Sequence, residues 1–137
     1  MVALANGYGF LAHRIASIVI WELLGGEVQE KVGSIVGSKD AFIKLAWWPD
    51  RIKRKPNWKW TKKLHYLNTD DDPPNYCKVS FSLGRNLLGA AFNYTENFFE
   101  TKSRDDLAFM VHFLMDLHQP MHLSSKFRGG NDYKVYI

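Results

Sequence analysis

His112 and Asp116 stand four residues apart and His122 follows, giving the pattern H-x3-D-x5-H. Positions i and i+4 share one face of a helix, so this spacing delivers an imidazole beside a carboxylate. Pro120 forbids the helix from continuing, which brings His122 in from just past its end. Imidazole nitrogen and carboxylate oxygen are donors that zinc takes, and the same pair is equally an ordinary helical surface pair. Three more residues enlarge the set: His13 on an apolar-periodic segment, Asp50 directly after Trp47-Trp48-Pro49, and His65 in a polar stretch. His13, on an otherwise apolar face, also reads as a satisfied core histidine, and Trp47 and Trp48 read as core rather than as a substrate platform. Four of the five histidines enter the metal reading, with His118 left as a helix-end or supporting residue. A polynuclear zinc site that activates water and clamps both oxygens of a displacement is suited to phosphodiester hydrolysis.

Between Arg51 and Lys63, Arg51, Lys53, Arg54, Lys55, Lys59, Lys62 and Lys63 interleave with Trp58 and Trp60. Cations mixed with aromatics can hold phosphates and stack bases; the plainer reading is a solvated basic helix end and loop. The net charge of +4 is too small to identify an anionic partner by itself.

These residues need a scaffold, and 137 residues with 46% hydrophobic content build one compact core rather than a disordered chain. No apolar run approaches the roughly 18–20 residues of a membrane span. Cys77 is the single cysteine, which excludes an internal disulfide framework and a cysteine-rich metal site. Helical periodicity through Phe10, Leu11, Ile15, Ile18, Val19 and Leu23 predicts a first helix, stopped by a left-handed cap at Gly25-Gly26. A second runs from Glu27 to Val36 and ends at Gly37; Asp40 caps a third carrying Phe42, Ile43, Ala46 and Trp47, which Pro49 kinks or ends. Residues 55–78 read as one long loop containing His65. Periodicity returns over Ser80–Phe99, and Ser103 or Asp105 opens a last helix to about His118. Gly129-Gly130-Asn131 makes a turn before an extended end at 133–137. The class is all-α, a helical bundle with long loops.

Taken in order, Tyr8-Gly-Phe-Leu-Ala-His13, Leu45-Ala-Trp-Trp-Pro-Asp50, Leu64-His65-Tyr66, Val111-His112 through Asp116 to His122, and Gly129-Gly130-Asn131 resemble the single-strand zinc nucleases of the S-one/P-one type. The resemblance covers nearly the whole chain, and the family it points to also includes zinc-dependent phospholipase C. It implies a mostly helical, secreted or secretory-lumen enzyme with three zinc ions that cuts single-stranded DNA and RNA and removes 3′-phosphates. By matched residue, Asp50, His65, His112 and Asp116 hold the first zinc. Asp116 bridges to a second held by His13 and by the amine and carbonyl of an N-terminal Tyr8, and that pair generates the attacking hydroxide. His122 contributes to the remaining zinc. Lys53 matches a phosphate-binding position, and Tyr66 and Asn131 match base-stacking and base-bonding positions. Asn93-Tyr94-Thr95 is a sequon of the kind such secreted proteins carry, with Asn93 the glycosylation acceptor.

The resemblance also has departures. Family members continue past Gly-Gly-Asn to a further His and Asp that complete the third zinc site, so this chain, ending at Ile137, is expected to hold one to two zinc ions and to be weak or inactive alone. Cys77 matches a cysteine bonded to that further half, which makes a complementary C-terminal half an expected partner. Tyr8 stands where Trp is usual. Residues 1–7 read as a residual signal or appended segment, with cleavage expected before Tyr8, and 8–137 as the N-terminal part of the nuclease domain. Two other readings stay open: a phospholipase C at lipid surfaces, and a catalytically inactive helical fragment whose histidines are structural.

Overall fold

The computed structural model describes residues 2–5, 9–69, 75–76, 82–123, 127 and 129–136. The helices are α1 (Phe10–Leu23), α2 (Gly26–Val36), α3 (Lys39–Ala46), α4 (Trp48–Ile52), α5 (Leu87–Thr101) and α6 (Arg104–Leu117), with 3-10 segments at Pro56–His65 and Pro120–Leu123. Strands β1 (Val2–Ala5) and β2 (Tyr133–Tyr136) pair antiparallel, Val2 opposite Tyr136. The all-α expectation holds for the body of the protein, and this short ribbon joins the extended end to a leading segment that periodicity left without structure. No described helix is long and apolar enough to cross a membrane.

Several boundaries differ from the sequence reading, each for a local reason. Gly25 is not a left-handed stop: its φ is −62°, and it serves as N-cap of α2, its carbonyl accepting from the N–H groups of Val28 and Gln29. Ser38, rather than Asp40, caps α3, its Oγ accepting from the Ala41 N–H at 3.1 Å, while Asp40 sits in the first turn where the helix dipole favours a carboxylate. The third helix stops at Ala46, and Pro49 falls in the first turn of α4, where its missing N–H costs nothing. Pro56 likewise opens a ten-residue 3-10 helix inside the expected loop. In the Ser80–Phe99 stretch, helix begins only at Leu87, because Asn86 caps it through Gly89 N–H and Gly84 and Asn86 close tight turns before it. Gly37 ends α2 with φ 94°, Ser103 caps α6, and His118 is its exposed C-cap residue, as read from the sequence.

Helix α6 is the axis of the core. Leu107, Ala108, Val111 and Met115 pack with Val32 and Val36 of α2 and Phe42, Leu45 and Ala46 of α3. A second face, Phe109 and Phe113, packs with Leu87, Ala90 and Ala91 of α5 and with Ile52, Leu64 and Leu67. Trp48 joins this cluster, edge-on to Trp58 and Phe109. His112 and Asp116 lie on the part of α6 between these two apolar clusters and are buried with them, while Arg104, Asp105 and Leu114 take its solvent side.

The turns before α5 press on that helix. A Cβ built at Gly89 would lie 2.1 Å from the Gly84 carbonyl oxygen, a backbone atom that cannot swing aside. Gly89→Ala is therefore expected to cost about 1–3 kcal/mol despite alanine's better helix propensity. Urea unfolding would show it, and an unchanged midpoint would mean that the turn yields freely.

Candidate metal centre and cleft

Five polar side chains from four elements meet near the end of α6: His13 from α1, Asp50 from α4, His65 from the Pro56–His65 segment, and His112 and Asp116 from α6. His13, His65, His112 and Asp116 are buried, and Asp50 is partly exposed. His65 Nδ1, His112 Nε2, Asp116 Oδ2 and Asp50 Oδ1 face one another. The two ring nitrogens are 2.9 Å apart; Asp116 Oδ2 lies 3.2 Å from His65 and 3.3 Å from His112; Asp50 Oδ1 lies 3.6 and 3.7 Å from them. The other carboxylate oxygens turn to His13, whose Nε2 is 3.2 Å from Asp116 Oδ1 and 3.7 Å from Asp50 Oδ2. His122 Nε2 approaches Asp116 Oδ1 at 3.6 Å. Each carboxylate thus divides its oxygens between two donor groups.

Backbone carbonyls orient two of the rings. His112 Nδ1 donates to Ala46 O at 2.8 Å, which leaves Nε2 as the atom presented to the carboxylates. His122 Nδ1 donates to Gly129 O at 2.6 Å and turns Nε2 towards Asp116. Gly129 has φ +65° and no room for a Cβ, which would fall 2.5 Å from Tyr66 Cβ, so glycine is needed to bring that carbonyl in. The His13 ring stacks on His112 with centroids 4.1 Å apart. Leu67 N–H donates to His122 O and Leu87 N–H to Tyr66 O, tying the segment after His65 between the end of α6 and the start of α5.

The donor set fits zinc. Metal–ligand bonds of 2.0–2.2 Å arranged tetrahedrally put neighbouring ligand atoms about 3.3–3.6 Å apart, and the donor separations above run from 2.9 to 3.7 Å. The close pair of ring nitrogens is satisfied either by a proton on one of them or by a cation that both lone pairs meet. The electrostatics agree. Burial raises the Asp116 carboxyl, but the charge and hydrogen bond of His112, with His13 and His65, outweigh it and hold Asp116 well below its ordinary value. Burial also opposes ionisation of Asp50, and His112, Lys53 and His65 overcome it, leaving that carboxyl lowered. Burial pushes the His65 imidazole down to about 4. His112 is raised, because Asp116 and Asp50 outweigh its burial.

A cleft of 1630 Å³ opens over this centre. Lys53, Tyr66 and Asn131 all line it, as does much of the basic stretch, including Arg51, Arg54, Lys59, Lys62 and Lys63. Lys53 Nζ lies 2.5 Å from Asp50 Oδ1. The basic stretch is therefore a cleft wall as well as a solvated surface. Trp47 is not simply core: it is half-buried, lines the cleft, meets Phe10 edge-on and lies under the Arg51 guanidinium at 5.2 Å. Trp60 lines it too, whereas Trp58 turns inwards. Arg85 also lines the cleft and carried no signal in the sequence, being an isolated cation outside any motif. Asn93 is exposed on α5. Tyr8 and Cys77 lie outside the described residues.

The profile of the family described as S1/P1 Nuclease matches residues 8–137. The chain belongs to the S1/P1 nuclease family. Endonuclease 3 of Arabidopsis thaliana is 35% identical over 105 residues, covering 65% of this chain and 34% of its own length. Nuclease P1 of Penicillium citrinum is 27% identical over 139 residues (93% of this chain, 52% of its own), and Nuclease S1 of Aspergillus oryzae is 26% identical over 145 (98% and 50%). This S1/P1 family chain thus spans about a third to a half of the length of these curated relatives. Its donors fall into groups able to hold a metal ion: His13, Asp50 and His112; and His65, His112 and Asp116.

A cation entering these donors must displace the proton that His112 binds more tightly than an ordinary imidazole does. Asp116 and Asp50, both lowered, are already ionised, and His65, at about 4, is already neutral. Zinc affinity is therefore expected to fall as pH falls, by about tenfold per pH unit once His112 is protonated, reflecting one displaced proton. Chelator competition between about pH 5 and pH 8 reads the slope, and a flat profile would contradict it.

Proposed function

We propose that this chain carries the metal-binding part of a zinc-dependent phosphodiester hydrolase acting on single-stranded DNA and RNA, with 3′-nucleotidase activity. The observation that carries the reading is the set of donors, spaced as zinc ligands, at the floor of a basic, aromatic cleft. Bound zinc supplies Lewis acidity and water activation. In this reading Asp50, His65, His112 and Asp116 would hold one ion and His13 would help to hold another, with Tyr8 joining it once residues 1–7 are removed and its amine is free. His122 would serve a further ion.

The remaining roles belong to the cleft wall. Lys53, already at Asp50, places its ammonium where a substrate phosphate meets the carboxylates. Tyr66 offers a ring for a base to stack on, and Asn131, on the turn beside it, offers donor and acceptor to a base edge. The many cations that line the cleft favour a polyanion over a lipid surface as substrate. A secretory location, with glycan at the exposed Asn93, belongs to the same reading.

Asp116→Asn keeps the side chain's size while removing the shared anion. It is expected to lower bound zinc and to reduce cleavage of a single-stranded oligonucleotide to the level of the chelated protein, with zinc restoring only the unaltered protein. Faster hydrolysis of phosphatidylcholine than of oligonucleotide would decide for the phospholipase C reading, and full cleavage by the variant would refute the proposed site.

A further inference from the structure

Arg85 comes from an element that none of the centre's ligands uses. It sits in the tight turns of residues 82–86, where Gly84 N–H donates to Ser82 O and Asn86 N–H to Gly84 O. Asn86 ties both sides together: its Nδ2 donates to Ser82 O at 3.0 Å, and its Oδ1 accepts from the Gly89 N–H at 3.0 Å. The Gly84 carbonyl is seated in the gap that Gly89 leaves on α5, and the next residue along, Leu87, bonds to Tyr66 O. The turn is thus fixed at both ends beside the cleft.

On this platform Arg85 is exposed and lines the cleft. Two other cations there are already engaged, Lys53 by Asp50 and Arg51 by the Trp47 ring. Among the described residues, the Arg85 guanidinium has no ion-pair or hydrogen-bond partner. A guanidinium offers a planar fork that matches two phosphate oxygens, and holding its backbone still lowers the entropy lost when it binds. The 1630 Å³ cleft exceeds the roughly 300–1,000 Å³ that suffices for a small ligand, so it has room for more than the nucleotide at the metal centre.

We infer that Arg85 is a phosphate anchor for the nucleic-acid strand, gripping a backbone phosphate other than the one presented to Asp50 and Asp116. The inference rests on the nuclease reading, and it makes Arg85 a determinant of polynucleotide affinity rather than of the bond-breaking step.

The test is the affinity of the zinc-loaded chain for a fluorescent, cleavage-resistant phosphorothioate oligonucleotide, followed by anisotropy over a range of salt. Arg85→Gln is expected to weaken binding about tenfold and to reduce the salt slope by about one phosphate contact. Arg85→Lys, keeping the charge without the fork, is expected to retain the slope and lose part of the affinity. Lys44→Gln, on an exposed site outside the cleft, controls for net charge and should leave the slope unchanged. Zinc content and thermal midpoint of Arg85→Gln should equal those of the unaltered chain. If the unaltered chain binds and Arg85→Gln matches it or the Lys44 control, or loses zinc as well, the anchor is refuted while the nuclease reading stands. If the unaltered chain does not bind single strands at all, the nuclease reading itself fails.

Discussion

The burial of the Asp116 carboxylate is the constraint on which the architecture turns. A charge at 1% exposure would be costly alone, and it is tolerated because imidazoles from α1, the Pro56–His65 segment, α6 and the Pro120–Leu123 turn surround it. The same elements pack apolar side chains around α6, Ala16 and Ile20 of α1 on one side and Leu64 and Leu123 on the other, and the carboxylate they enclose makes the pocket one that favours a cation.

Helix α6 can carry that group because its apolar residues divide into two faces. One set closes against α2 and α3, the other against α5 and the segment around Leu64, and the His112–Asp116 line lies between them. The core thereby doubles as the outer support of the centre: Ala46, buried in the first cluster, supplies the carbonyl that orients His112. A shift of one residue in the register of α6 would separate the donors and expose one of the apolar faces, so folding and metal geometry are coupled.

Much of this was legible in the sequence because helical spacing is regular. His112 and Asp116 at i and i+4, with a proline break before His122, predict their own juxtaposition, and the end of α6 at His118 follows from the same pattern. Placement of His65 was less accessible. Its segment looks like loop because 3-10 geometry lacks the 3.6-residue periodicity, and the chain is tied to distant residues only just past it, through Tyr66 and Leu67. The start of α5 and the caps at Gly25 and Ser38 turned on which of several small polar residues or glycines captured a particular N–H. Arg85 was invisible for a related reason: the fit of Gly84 against Gly89 places it, and no composition or spacing announces that contact.

The most direct test of the account is zinc K-edge X-ray absorption on the zinc-loaded chain. A shared centre of imidazoles and bridging carboxylates predicts a first shell of nitrogen and oxygen alone at about 2.0–2.1 Å, with strong imidazole outer-shell scattering. A sulfur ligand near 2.3 Å, or a shell of water oxygens without imidazole, would contradict it, because the ion would then be held somewhere other than around Asp116.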